Sequence, residues 1–388
     1  MNRLPFRSAR LAAMVLLALG VSVGLYACSQ DNGALNDQSG ITKPDAQAAT
    51  FTVNHPEIQR VMRIQDAATP DLMGADPLVV GTATGMGPNG DVVIKVYLED
   101  ALPPGKLPGQ IEGVTVEQHV TGRLVAFKGP PPMDGGNNGA DPRAPQTAPV
   151  KMGTSGGWRY DLANGFCCGG TLGSLIQSGG TKYILSNYHV LYADIVPGGN
   201  GQVASAGDEV IQPALIDVGC NANSSLNIGT LVNNGGSLPG ANIDAGIAQV
   251  TPGMVDESGA ILDIGTISSS TVAASVGQDV KKMGRTTGLG RATVDGLNAN
   301  VNITYENECA GGTAFTKSFT GQIITTNNRC NFLDGGDSGS LMVEDVTTDP
   351  RAVGLLFAGS VTCNKRAIAI ANPIGDVLSH YNASMVGN

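Results

Sequence analysis

Ser338 stands in the run LDGGDSGSLMV, Leu333 to Val343, with Asp337 before it, Gly339 after it and an apolar segment beyond. Glycine costs backbone entropy and contributes no packing. Gly335, Gly336 and Gly339 around one hydroxyl therefore point to a backbone that curls sharply or approaches something closely. A serine hydroxyl is a weak nucleophile until a neighbouring base takes its proton, and that base needs a partner to fix its tautomer. The chemistry such a set performs is acyl transfer. The developing oxyanion is received by converging backbone amides, for which Gly336 and Ser338 are the candidates. Of the four histidines, His189 ends the apolar stretch YILSNYHV against a polar turn. His55 precedes a helix and His119 lies within a strand pattern, and both read as structural; His380 sits in the terminal helix and reads as a surface residue. In ANIDAGIAQV, Asp244 comes immediately before an apolar strand. None of the three candidates is decisive alone; together His189, Asp244 and Ser338 supply base, orienter and nucleophile.

The elements that must bring them together are short. From about Trp158 onward the chain alternates apolar runs (GTLGSLIQS, KYILSNYHV, GIAQV, RATVDGL, GQIITT, GSLMVED, VGLLFAG, AIAIANP) with Gly/Asn/Ser turns. A helical pattern appears only at IGDVLSHY. This predicts an all-β sandwich or barrel with one closing helix. Among 388 residues, the 54 glycines and the aromatic content of only 4% suit strands joined by tight turns. Apolar content of 41% with 14% charge places the chain among globular proteins, and a net charge of −10 argues against a nucleic-acid binder.

Residues 1–27 read as a secretory signal, with a basic start and the apolar run LAAMVLLALGVSVGLYA. The final LYAC resembles the lipobox of bacterial lipoproteins, which implies lipidation at Cys28 and anchorage to a membrane; a cleaved signal with secretion and a retained anchor are the alternatives. Ser29 after that cysteine leans towards an outer membrane in a Gram-negative host. Residues 28–50 are a polar tether. Residues 51–128 read as a small α+β domain, with Pro56 in the first turn of a helix and a hairpin at Asn89-Gly90. A Pro/Gly-rich linker spans 129–155, and the strand-rich domain spans 156–388. Six cysteines follow Cys28, all beyond residue 166, and in an oxidising compartment an even number implies disulfides. Cys167 or Cys168 with Cys220 would bracket the His189 loop, and Cys309 with Cys330 would span a hairpin.

The order His189, Asp244, Ser338 is the chymotrypsin order. With LSNYHV, IDAGIAQV, GGDSGS, the strand VGLLFAGS and the closing helix, residues 155–385 resemble the chymotrypsin-fold serine peptidases. The loop GRTTG, Gly284 to Gly288, is similar to that of the secreted bacterial alpha-lytic protease and streptogrisin group. The resemblance implies a double six-stranded β-barrel and a serine endopeptidase acting on polypeptides, with no metal or organic cofactor. It implies Arg285 paired with Asp337 to order the oxyanion turn. It also implies a substrate cleft lined by Phe332, Phe357, Ala358 and Gly359, and a Cys330–Cys363 clamp as a rival to Cys309–Cys330. With Phe332 near the base of the primary pocket and no acid there, a small or medium apolar substrate side chain is expected. The small N-terminal domain would be a pro-segment or a docking module. An esterase with the same triad and a non-catalytic surface lipoprotein are the rival readings. The oligomeric state is not legible.

Overall fold

The computed structural model of the chain describes residues 51–126, 139–163, 166–192, 204–238, 240–305, 314–327, 331–360 and 367–388. The signal, Cys28, the tether and Cys309, Cys330 and Cys363 lie outside these residues. No helix among them is long and apolar enough to cross a membrane.

The N-terminal segment opens with helix α1, Pro56–Ala75, capped by the His55 side chain, which accepts the Glu57 amide. Strands β1 (Val79–Met86) and β2 (Val92–Leu98) form the expected hairpin, with Gly90 at φ +84° in its turn. Then come β3 (Gln110–Ile111), β4 (Val114–Val120) and β5 (Leu124–Ala126).

Strands β6 (Thr154–Trp158), β7 (Gly170–Leu172), β8 (Ser174–Ser178) and β9 (Thr181–Ser186) lead into a four-residue helix α2, Tyr188–Leu191. Next are β10 (Glu209–Gln212), β11 (Leu226–Gly236) and β12 (Gly246–Val250). Their spatial order is β7-β6-β10-β11-β12-β9-β8. Only Gly173 separates β7 from β8, so the two are halves of one bent strand and the sheet closes as a six-stranded barrel. A side chain at Gly173 would strike the Gly339 carbonyl, which is why the bend uses glycine.

The second set is β13 (Asp279–Gly284), β14 (Gly288–Tyr305), β15 (Phe315–Thr326), β16 (Leu341–Glu344), β17 (Ala352–Ser360) and β18 (Ile368–Pro373). They run β13-β16-β17-β18-β15-β14, and β14 pairs back to β13, closing a second six-stranded barrel. Helix α3, Ile374–Tyr381, buries Ile374, Val377 and Leu378, and β19 (Ser384–Met385) returns to β8 in the first barrel. The fold is thus all-β in its main part, a double barrel of chymotrypsin type.

The N-terminal segment is joined to this fold more closely than its composition suggests. β1 pairs antiparallel with β14, Gly81 opposite Val301 and Gly85 opposite Gly296, so β2, β4 and β3 continue the second sheet. Every residue of β2 is buried, as expected for a strand covered on both faces. β5 sits apart from that ribbon. It lies parallel to β14 and antiparallel to β17, with Val125 opposite Gly359 and Leu124 opposite Ser360. The described part of the linker, 139–155, is not a free spacer: Gln146 bonds to Gln212, and Val150 bridges Val255.

Candidate active site

His189 sits one turn beyond β9 on α2, and Asp244 lies two residues before β12, the neighbour of β9. Both therefore come from the first barrel. Ser338 precedes β16 in the second. The Ser338 carbonyl accepts the Thr171 amide at 2.9 Å, and a side chain at Gly170 would meet both Val190 and Ser338. The Gly339 amide donates to Leu356 at 2.9 Å, which ties the turn to β17. The serine turn is thus packed against β7, next to the residue that follows His189.

His189 Nδ1 lies 2.6 Å from Asp244 Oδ2. Asp244 Oδ1 accepts the amides of Tyr188 (2.8 Å) and His189 (3.3 Å), and Tyr305 Oη donates to Oδ2 at 2.9 Å. The Asp244 main chain is also gripped: Asn187 and Asn372 donate to its carbonyl, and its amide donates to Asn372. A carboxylate this buried persists because every lone pair has a donor. His189 Nε2 is buried and carries no hydrogen bond among the described residues. Ser338 Oγ donates to the Phe357 carbonyl at 3.4 Å, and since Nε2 has no partner among the described residues, the bond between His189 and Ser338 is not formed in this conformation. Such bonds are often long or absent before substrate binds.

Gly336 has φ +92°, which favours glycine, and its carbonyl accepts Thr171 Oγ1 at 2.9 Å. A Cβ there would collide with Arg285 and Thr286, so the turn is packed directly on the GRTTG loop. That loop does serve Asp337, but not through Arg285. The Asp337 carboxylate accepts the amides of Thr286 and Thr287, the Thr287 hydroxyl and the Asp334 amide. Its counter-charge is Lys282, at 3.0 Å, both side chains fully buried. Burial pulls the Lys282 ammonium below its usual range, and Asp337 counteracts this. Arg285 instead makes a two-pronged pair with Asp217, Nε to Oδ2 at 2.7 Å and Nη2 to Oδ1 at 2.6 Å. The expected Arg285–Asp337 pair is corrected on this geometry: the guanidinium fork fits a carboxylate presented end-on from the first barrel, and a lysine one strand turn earlier reaches Asp337.

Phe357 points into the core, fully buried and 5.0 Å from the Phe319 ring, and Phe332 is buried with the apolar cluster beneath the second barrel. Ala358 is likewise buried. Gly359 is packed by Leu333 and paired across to Val125. A disulfide links Cys167 to Cys220, one of the two pairings expected around the His189 loop. Sequence reasoning missed Asp217, Lys282 and Tyr305. Lys282 carried a signal: it alternates with Val280 on the inward face of β13, and an inward lysine demands a partner.

A two-barrel β fold with these groups at the junction is the class the geometry defines, and the chain resembles the chymotrypsin-fold bacterial serine peptidases. Residues 212–375 match the Nal1 C-terminal domain family, a stretch that includes Asp244 and Ser338. Streptogrisin-A of Streptomyces griseus is 33% identical over 168 residues, 43% of this chain, and the chain spans about half (49%) of that relative's length. Among solved structures, a serine protease described as specific for glutamic acid is 20% identical with a TM-score of 0.41, over 61% of this chain and 100% of its own. Protease A of Thermobifida fusca is 20% identical with a TM-score of 0.40, over 62% and 99%. Alpha-lytic protease homolog N4 is 17% identical with a TM-score of 0.38, over 61% and 98%.

Proposed function

We propose that the chain is an exported serine endopeptidase in which Ser338 is the nucleophile, His189 the general base and acid, and Asp244 its orienter. The observation that carries this is the 2.6 Å His189–Asp244 bond, beside a buried and unpartnered Nε2. Among the described residues that nitrogen meets no competing donor, and it is available for a proton. In the reaction the Ser338 hydroxyl turns from Phe357 to Nε2 and loses its proton to it as Oγ attacks the substrate carbonyl carbon. The oxyanion forms against the amides of Gly336 and Ser338. His189 then returns the proton to the leaving amine as the C–N bond breaks. Water, deprotonated by the same imidazole, hydrolyses the acyl-serine.

Residues 51–126 are, on this reading, an inhibitory pro-segment. The support is the position of β5, which pairs antiparallel with the Gly359–Ser360 edge of β17, the edge on which a peptide substrate would add as a strand. Export by the N-terminal signal and lipidation at Cys28 complete the proposal, with polypeptides presenting a small or medium apolar side chain to the primary pocket as substrates. A fluorophosphonate probe tests the core of it. Labelling of the wild type, lost in Ser338→Ala and strongly reduced in His189→Ala, is the expected result; equal labelling of Ser338→Ala refutes the assignment. Mass spectrometry of the mature N-terminus tests lipidation and pro-segment removal together.

A further inference from the structure

We propose that Tyr305 is a positioning residue for the His189–Asp244 pair, supplied by the second barrel. This rests on the peptidase reading above only for its kinetic consequence; the geometry stands by itself. Three of the four donors to the Asp244 carboxylate come from one place, the adjacent residues Tyr188 and His189. The fourth is Tyr305 Oη, at 2.9 Å, from the far end of β14. Oδ1 is held by two amides that cannot move independently of α2. Among the described residues, Oδ2 is held by the imidazole and by Tyr305, so the tyrosine is what resists rotation of the carboxylate with the histidine ring.

The tyrosine is well placed to do this. Its ring is buried, meets the His189 ring edge-on at 6.0 Å, and stacks on Phe315 at 5.5 Å. Burial, reinforced by the Asp244 charge, pushes its hydroxyl far above the ordinary phenol range, so it remains a donor throughout the neutral and mildly alkaline range. A buried tyrosine hydroxyl needs an acceptor in any fold. What separates positioning from mere satisfaction is the choice of acceptor: the same oxygen that holds the imidazole. By donating to that oxygen, Tyr305 draws charge from it and moderates its pull on an imidazolium.

The test is Tyr305→Phe, which keeps the ring and removes the donor. With a peptide substrate, kcat is expected to fall roughly tenfold to a hundredfold with KM within about twofold, the pattern of a group acting beyond ground-state binding. The acid limb of the kcat/KM profile moves to higher pH, because Asp244 without the hydroxyl favours the charged imidazole more strongly. Among the described residues, the other groups near the pair do not supply this shift. Burial raises the hydroxyls of Tyr188 and Tyr381 and carries that of Tyr192 up to about 12, and His380 is exposed on the outer face of α3. An activity-free measurement accompanies it: the imidazole titration of His189 followed by NMR in Ser338→Ala, with and without Tyr305→Phe. A titration moved to higher pH by Tyr305→Phe supports the assignment even if the wild type cleaves no peptide, an outcome that would instead remove the peptidase reading. An unmoved titration, or unchanged kcat and acid limb in an active wild type, overturns it.

Discussion

The charge that orders the oxyanion turn is predicted to be Lys282, and Lys282→Met is the perturbation that isolates it. At 3.0 Å and an effective dielectric constant of 20, the attraction between its ammonium and the Asp337 carboxylate is about 5–6 kcal/mol before desolvation is subtracted. Removing one partner of a buried pair costs about 3–5 kcal/mol, because the other charge is left uncompensated. Asp337 retains four donors, from Thr286, Thr287 (amide and hydroxyl) and Asp334, so the lower end applies. A loss of about 3 kcal/mol corresponds to a fall in Tm of roughly 6–12 °C in a domain of this size. The methionine fills the lysine's volume, so packing is nearly preserved. Thermal denaturation measures the first effect, and the rate of fluorophosphonate labelling at Ser338 measures the ordering of the turn; both should fall. Arg285→Ala, by contrast, breaks the pair with Asp217 and should lower Tm while affecting labelling less. If Lys282→Met labels like the wild type and Arg285→Ala does not, the assignment of charges to this turn is wrong.

Replacing Cys167 and Cys220 by serine opens a constraint across 53 residues, expected to cost up to about 4 kcal/mol in a denaturant titration. Leu124→Asp places a carboxylate at a fully buried position of β5 and should expel that strand from β17, raising the labelling rate of Ser338; an unchanged rate would sink the inhibitory role. Arg351 holds the Glu344 carboxyl below its usual range by a hydrogen-bonded pair. That pair contributes at most about 1 kcal/mol, since Arg351 is half exposed; the contribution is present above about pH 4.5 and lost as pH falls through the lowered value. Arg351→Ala should therefore narrow the stability difference between pH 7 and pH 3, read from urea unfolding at each pH.

Much of this was legible in the chain itself, and the parts that were not share a cause. Period-2 runs ending in turns announce strands, and the turn that carries Ser338 is marked by its glycines. The pairing of Arg285 with Asp337 was what the family resemblance implied; no residue pattern in the chain marks Asp217, which arrives from a 3₁₀ turn, Leu215–Val218, in the other barrel. Tyr305 gave no signal at all: an aromatic at the end of an alternating strand reads as core. The sheet partner of the segment before residue 128 was hidden in a similar way. The β-branched residues of β1 mark it as a strand, but no property of its own residues names β14 as its neighbour. Helix α2 is too short to have a period, and its four residues were absorbed into the strand before them.

The position of β5 has a consequence for how the molecule could be switched on. On the proposed pro-segment reading, β5 and Ser338 belong to one polypeptide, so the occupant of the β17 edge is present at an effective concentration set by the stretch between residues 126 and 139, in the millimolar range for a short connection. Dilution cannot release it. Scission anywhere in that stretch converts a unimolecular blockade into a bimolecular one, which then relaxes with the volume available. On that reading the volume around the cut molecule, rather than the cut itself, would set the speed of its awakening.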